Sequence, residues 1–274
     1  MEVMLMHERF EDLTLTHWYI FPEVFADIKN INLAKQLIEL ATKREVEELI
    51  CLGKEQNETI GYYSHGVRFD VKFKGGKKHY IVEMQNYKDA LLERSDVYHA
   101  VEKMKSFKKG MDYEDIVTTY VIFICTFDYF KLGEDRYELQ WRLLKHLELD
   151  IYPKTVTILL NAKARSKEKK LDALLHFLDT SEATDSYTEE LVKAVKRVKE
   201  SEENRRSYMT FDEIVEFEKK KEAERVAEEV SNQVTVDMCK KMLEENGDKT
   251  FISKVTGFSL EKIEGIEKTL GRKF

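Results

Sequence analysis

Apolar and polar positions repeat with two different periods along this chain, and the change of period divides it. From residue 13 to 50 the spacing is helical. Phe21 and Phe25 stand four apart with Pro22 suited to a first turn, and Leu33, Leu37, Leu40 and Ala41 mark one face of the following run. Residues 51–62 are polar, with Gly53 and Gly61, and predict a connection or an irregular strand. At Arg68 the period drops to two. In RFDVKF, Arg68, Asp70 and Lys72 share one face, and Phe69, Val71 and Phe73 the other. Gly75-Gly76 predicts a two-residue hairpin turn, after which a second strand runs to Gln85. That loop sets Lys74 opposite Lys77, Asp70 opposite Ile81 and Arg68 opposite Glu83. Ile81, Glu83 and Gln85 then share the face of Asp70, with Asp70 and Glu83 as diagonal neighbours roughly 7–8 Å apart. A loop longer by two residues keeps the face and shifts the pairing, whereas a one-residue slip destroys it.

Helical spacing returns over 89–109, where Leu92, Val97, Val101 and Met104 predict an inward face, Arg94 and Tyr98 stand four apart, and Gly110 stops the helix. Residues 117–127, VTTYVIFICTF, are β-branched and aromatic with almost no charge, and predict a central buried strand followed by Asp128 as a turn residue. Residues 137–147 read as helix, and 155–160 as another buried strand ending at Asn161. From 168 the pattern is helical throughout. It covers 171–178, 187–206, a long and highly charged stretch over 211–246, and two short helices around Gly257 with Ser259 as an N-cap. Strands and helices in this order predict a mixed α/β layer fold. Residues 1–165 form its core, 166–210 a helical subdomain on that core, and 211–274 a charged helix with a terminal helix pair.

Composition narrows the function classes. The chain has 274 residues, 42% of them hydrophobic, enough to bury a sizeable core. Charged residues reach 35%, above the usual quarter or so, as long solvated helices require. A net charge of −7 argues mildly against a general nucleic-acid coat protein but leaves local basic clusters, such as Lys72, Lys74, Lys77 and Lys78, free to act. Cys51, Cys125 and Cys239 are scattered and show no metal-ligand spacing, which suits a reduced, cytoplasmic protein. The opening residues show no signal-peptide pattern, and the longest apolar run is too short for a membrane span, so no membrane partner is expected.

The hairpin carries the chemistry. Hydrolysing a phosphodiester needs an activated water and neutralisation of charge on the phosphoryl oxygens, and Mg²⁺ supplies both. Asp70 and Glu83 are oxygen ligands of the kind Mg²⁺ takes, the Met84 carbonyl is a third, and Gln85 sits where a water-orienting side chain is useful. The bland alternative is a half-solvated hairpin with two exposed acids, and the hairpin alone does not choose between the two. Arg68 is a cross-strand partner for Glu83 or a phosphate contact. Arg94 and Tyr98 are a helix-surface pair or contacts to substrate.

An Asp on one strand followed by Glu-x-Lys on the next is the signature of PD-(D/E)xK nucleases. The chain resembles one branch of them, the recombination-promoting nuclease or PD-(D/E)xK transposase family, in which the last position is often Gln within Glu-Met-Gln, as at Glu83-Met84-Gln85. Further matches are Arg68-Phe69-Asp70-Val71, Arg94-Ser95 with Tyr98, Phe127-Asp128-Tyr129-Phe130, Leu160-Asn161, Phe177-Leu178, Arg206-Ser207-Tyr208-Met209 and the tail Ile252–Ser259, so the resemblance spans nearly the whole chain. It departs from the family near the N-terminus, where Trp18 stands in the place of an acid and Glu23 is the nearest substitute.

The resemblance implies a restriction-endonuclease-like mixed sheet core flanked by helices, with a helical C-terminal extension. It implies a DNA endonuclease dependent on Mg²⁺, or on Mn²⁺. Asp70, Glu83 and Gln85 are its catalytic residues, Asp70, Glu83 and Met84 its metal ligands, and Arg68, Lys72, Arg94 and Tyr98 its contacts to DNA. The C-terminal helices are the place for a homo-oligomer. The alternative expectation is a nuclease fold, weak or inactive in catalysis, that binds DNA or another protein.

Overall fold

The computed structural model describes residues 8–58, 67–149, 151 and 154–270. The chain divides into two compact units, residues 1–205 and 206–274.

The first unit is built on one six-stranded sheet. Its strands are β1 (Leu49–Glu58), β2 (Val67–Gly75), β3 (Lys78–Gln85), β4 (Thr118–Cys125), β5 (Arg136–Gln140) and β6 (Thr155–Asn161), ordered β1-β2-β3-β4-β6-β5. The pairs β3–β4 and β4–β6 are parallel and the others antiparallel. Parallel neighbours need a crossover longer than a tight turn, and α3 (Leu91–Ser106) lies in the connection from β3 to β4. It covers one sheet face, where Leu91, Tyr98 and Val101 pack on Ile81, Val121, Phe123 and Leu159. Side chains of the opposite parity, among them Val71, Phe73, Tyr80, Val82, Tyr120, Ile122 and Ile158, are buried as well. The helices α1 (Ile20–Ala26) and α2 (Ile31–Thr42) touch β1, β2 and β6, and α4 (Lys169–Thr180) and α5 (Ser186–Glu200) pack back on these two helices. Burial on both faces explains why β4 and β6 read as unbroken apolar runs. The fold is thus α/β, a mixed sheet flanked by helices, with a helical C-terminal region.

Three expectations are corrected. Helix does not continue to residue 50. The helix α2 stops at Thr42, where Lys43 takes a left-handed φ of 54°, and β1 begins at Leu49. Residues 136–140 are an edge strand antiparallel to β6, whereas a helix was expected over 137–147. Tyr137 and Leu139 pack on the core beneath α3, a period of two too short to register in a helical window. The inward face of α3 is also rotated from its apolar reading. Val97 and Met104 are exposed while Tyr98, His99 and Glu102 are buried, because those three polar side chains find partners in the sheet.

The second unit is helical. It holds most of the 43-residue α6 (Glu202–Glu244), then α7 (Lys249–Thr256) and α8 (Leu260–Leu270). Cys239, Ile252, Phe258 and Ile263 form its small core. The terminal pair is organised as expected. Gly257 closes α7 at a φ of 72°, where the left-handed backbone suits glycine, and the Ser259 hydroxyl accepts from the Lys262 amide at 3.2 Å. Along α6, Val226, Val230, Val234 and Met238 are exposed at i,i+4 spacing. Cys51, Cys125 and Cys239 are free thiols. No helix among the described residues is long and apolar enough to cross a membrane.

Candidate active site

The hairpin forms, in a register shifted by two from the one expected. Gly75 pairs with Lys78, so the loop is Gly76-Lys77, with Gly76 at a φ of 58°. The direct partners are Lys72 with Ile81 and Val71 with Val82, and this count carries Asp70, not Arg68, to the level of Glu83. Gly75 lies inside β2, where a Cβ would sit 3.4 Å from both Tyr80 and Val46, and Gly76 supplies the left-handed turn. Because the shift is two residues, Lys72, Ile81, Glu83 and Gln85 keep one face, and Asp70 comes level with Glu83.

Pairing of β2 with β3 ends at Val71–Val82, and the two acids take over there. The Asp70 amide donates to Glu83 Oε1 at 2.9 Å, and the Met84 amide donates to Asp70 Oδ2 at 2.9 Å. Each carboxylate thus caps the backbone beside the other. The irregularity also turns Phe69. Strict alternation assigns it to the face away from Asp70, but its ring meets Tyr98 of α3 edge-on, centroids 4.8 Å apart. A strand residue projects its N–H and C=O to the same side, so the Met84 carbonyl lies on the edge that faces Asp70.

Glu83 is 2% exposed. Its Oε2 accepts from Arg94 Nη2 at 2.8 Å and from the Tyr98 hydroxyl at 3.4 Å. Burial and then the Asp70 charge raise its pKa, and the Asp70 amide and Arg94 offset only part of that. Two acids held together in a poorly solvated place each disfavour the other's ionisation. Tyr98 is itself buried, and burial together with Glu83 pushes its phenol up to about 12.

Arg94 ties the site together. Nη2 also donates to Tyr98 at 2.8 Å, while Nη1 donates to Gln85 Oε1 at 3.1 Å and to Asp89 at 3.3 Å. The guanidinium carbon lies 5.5 Å from the Tyr98 ring centre and 5.7 Å from that of Phe123. Its spacing from Tyr98 was legible in the sequence; its reach across to β3 was not.

Lys72 is buried away from solvent. Its ammonium lies 2.6 Å from Glu102 Oε2, and His79 holds the other oxygen. Burial alone would raise the Glu102 pKa, but His79 and Lys72 hold it below the ordinary carboxylate range. Nearby, His99 is buried with Nε2 3.0 Å from the Thr157 hydroxyl. This polar layer beneath α3 left no motif in the sequence beyond polar residues at helical spacing. Arg68 has its backbone in β2 opposite Asn57, and its side chain lies outside the described residues. Glu23 on α1 is held by Lys54 of β1. Asp128 is a turn residue at the strand end, accepting from the Lys131 and Gly133 amides and from Tyr137.

Asp70, Glu83 and the Met84 carbonyl make an all-oxygen donor set. Among the described residues no three His, Cys, Asp or Glu side chains gather as a metal cage. Mg²⁺ does not require one, since it usually takes one or two carboxylates and completes its shell with water and phosphate. The donor set therefore fits the ion. No protein-family model matches the chain, and no curated protein or solved structure matches it.

Proposed function

We propose that this chain is a Mg²⁺-dependent DNA endonuclease on a restriction-endonuclease-like core, of the recombination-promoting kind, working in the cytoplasm. The observation that carries the reading is the reciprocal capping of Asp70 and Glu83 where β2 and β3 part, which holds two acids side by side. Asp70, Glu83 and the Met84 carbonyl would hold the ion. Bound there, Mg²⁺ supplies an activated water and charge neutralisation at the phosphoryl group; Mn²⁺ serves the same donors. Gln85, next on the same face, is the third catalytic residue. Arg94, whose guanidinium reaches Glu83 and Gln85, is the better DNA contact of those expected. Tyr98 and Lys72 act from beneath the surface, through Glu83 and through their field. Arg68 completes the set by its place on β2.

A second reading, a nuclease fold that binds DNA or protein with little turnover, is favoured by Gln85 itself. An amide carries neither the charge nor the proton that lysine offers at this position. A second copy of the chain is the partner we assign to the C-terminal helices, on the exposed Val226–Met238 stripe of α6; a strictly monomeric mass at micromolar concentration counters that assignment. The deciding experiment is nicking of supercoiled plasmid with Mg²⁺ titrated in. Wild-type protein nicks and Glu83→Ala does not, whereas equal nicking by both refutes the metal site. DNA binding with no metal-dependent product selects the second reading.

A further inference from the structure

The amide of Gln85 can be oriented without ambiguity. Oxygen and nitrogen of a glutamine side chain are usually told apart only by their partners. Here the partner is a guanidinium, which donates and never accepts. The atom 3.1 Å from Arg94 Nη1 is therefore the oxygen. Arg94 is in turn fixed by Glu83, Asp89, the hydroxyl and ring of Tyr98 and the ring of Phe123, so the orientation is enforced through four residues rather than one. The polar end that remains is Nε2, and among the described residues it donates to no protein group. Gln85 is two residues from Glu83 on one strand and shares its face.

Resting on the nuclease reading above, we infer that Gln85 meets its substrate as a hydrogen-bond donor, presenting Nε2 to an anionic phosphoryl oxygen, with Arg94 as the positioning residue that imposes this orientation. Gln85 is then not the acceptor that draws a proton from the attacking water. Hydrolysis proceeds with a water oxygen bonding to phosphorus while the bond from phosphorus to the leaving sugar oxygen breaks. That oxygen gains a proton, the water loses one to solvent, and Gln85 neither gains nor loses any. Its contribution is a preorganised donor aimed where negative charge grows, reinforced by the guanidinium on the far side of the amide.

Three variants of the full chain test this: Gln85→Met, which has no donor, Gln85→Glu, which has acceptors only, and Arg94→Lys, which keeps the charge but cannot hold Glu83 and Gln85 together. Plasmid nicking is followed under single-turnover conditions, beside affinity for a short DNA duplex in Ca²⁺ and thermal melting. Gln85→Met and Gln85→Glu should each lose about 10²–10³ in rate, as loss of one such donor does elsewhere, with melting temperatures kept. Arg94→Lys should lower the limiting single-turnover rate by roughly tenfold or more while the protein concentration that gives half of it moves little, the split expected when an interaction made only in the transition state is lost. A Gln85→Glu protein that nicks as fast as wild type or faster overturns the inference, because only an acceptor role tolerates that exchange. If the wild type proves not to cleave at all, the nuclease reading fails, and binding then decides this one. Weaker DNA binding by both Gln85 variants upholds the donor, and unchanged binding by Gln85→Met refutes it.

Discussion

Asp70→Asn should make the metal-free protein more stable while removing its response to Mg²⁺. The asparagine oxygen can still accept from the Met84 amide, so the 2.9 Å bond survives. What disappears is the charge facing Glu83. Side chains on opposed residues of an antiparallel pair sit about 5 Å apart. Above the raised Glu83 pKa, where both carboxyls are ionised, two like charges at that separation repel by about 3 kcal/mol for an effective dielectric constant near 20. Asp70 is only half-buried, and solvent screening reduces the figure to roughly 1–2 kcal/mol. In EDTA that gain corresponds to a rise of roughly 2–8 °C in melting temperature for a unit of this size. Mg²⁺ at ten times its Kd should stabilise the wild type by about 1.4 kcal/mol and the variant hardly at all. The pH dependence has a definite sign. The Glu83 pKa is raised in the fold, so the folded chain keeps a proton that the unfolded chain has lost. The stability tied to that proton is complete below the ordinary carboxylate range and declines as pH rises through the raised value. Asp70→Asn removes the second-largest cause of the shift and should flatten this decline. Differential scanning fluorimetry over pH, with EDTA and then Mg²⁺, measures all of these. A variant less stable than wild type in EDTA above the raised Glu83 pKa, or one that gains as much from Mg²⁺, would refute the picture of two acids that share an ion.

Two further predictions concern the scaffold. Burial, helped by Lys103, lowers His99 to about 4, so its neutral form favours the fold above the ordinary histidine range and that stability is lost as pH falls toward 4. The slope approaches about 1.4 kcal/mol per pH unit. His99→Leu should flatten that acid limb in denaturation curves taken from pH 7 down to pH 4, and an unchanged limb would show that His99 titrates normally. Gly76→Val forces a β-branched residue to a φ of 58° and should cost roughly 1–3 kcal/mol, while Gly76→Asn should cost clearly less. The Glu47 carboxylate that a Cβ would meet is a side-chain end that can swing aside, so equal penalties from urea denaturation would point to crowding, not backbone strain.

Much of the sheet was legible along the chain because strand periodicity is a local property. Dense β-branched and aromatic residues marked β4 and β6, alternation marked β2 and β3, and both put Asp70, Glu83 and Gln85 on one face whichever even register held. Gly257 and Ser259 announced the α7–α8 turn through their own backbone preferences. The edge strand β5 was not legible, since five half-buried residues acquire their strand character only from pairing with β6.

What the sequence by itself determined is therefore the set of elements with strong local periods and the parity of the acidic pair. Tertiary structure decided the rest. The hairpin register depends on which of two adjacent glycines makes the turn, a choice that the Gly75-Gly76 pair leaves open and the fold gives to Gly76. The face that α3 presents rests on buried partners for Tyr98, His99 and Glu102, which outweigh the apolar positions on its other side. The joining of Glu83, Gln85 and Arg94 depends on a helix laid across the sheet face over β3. Periodicity reports which side of an element is buried, but only packing determines which charged group meets which, and that meeting sets the orientation of the Gln85 amide.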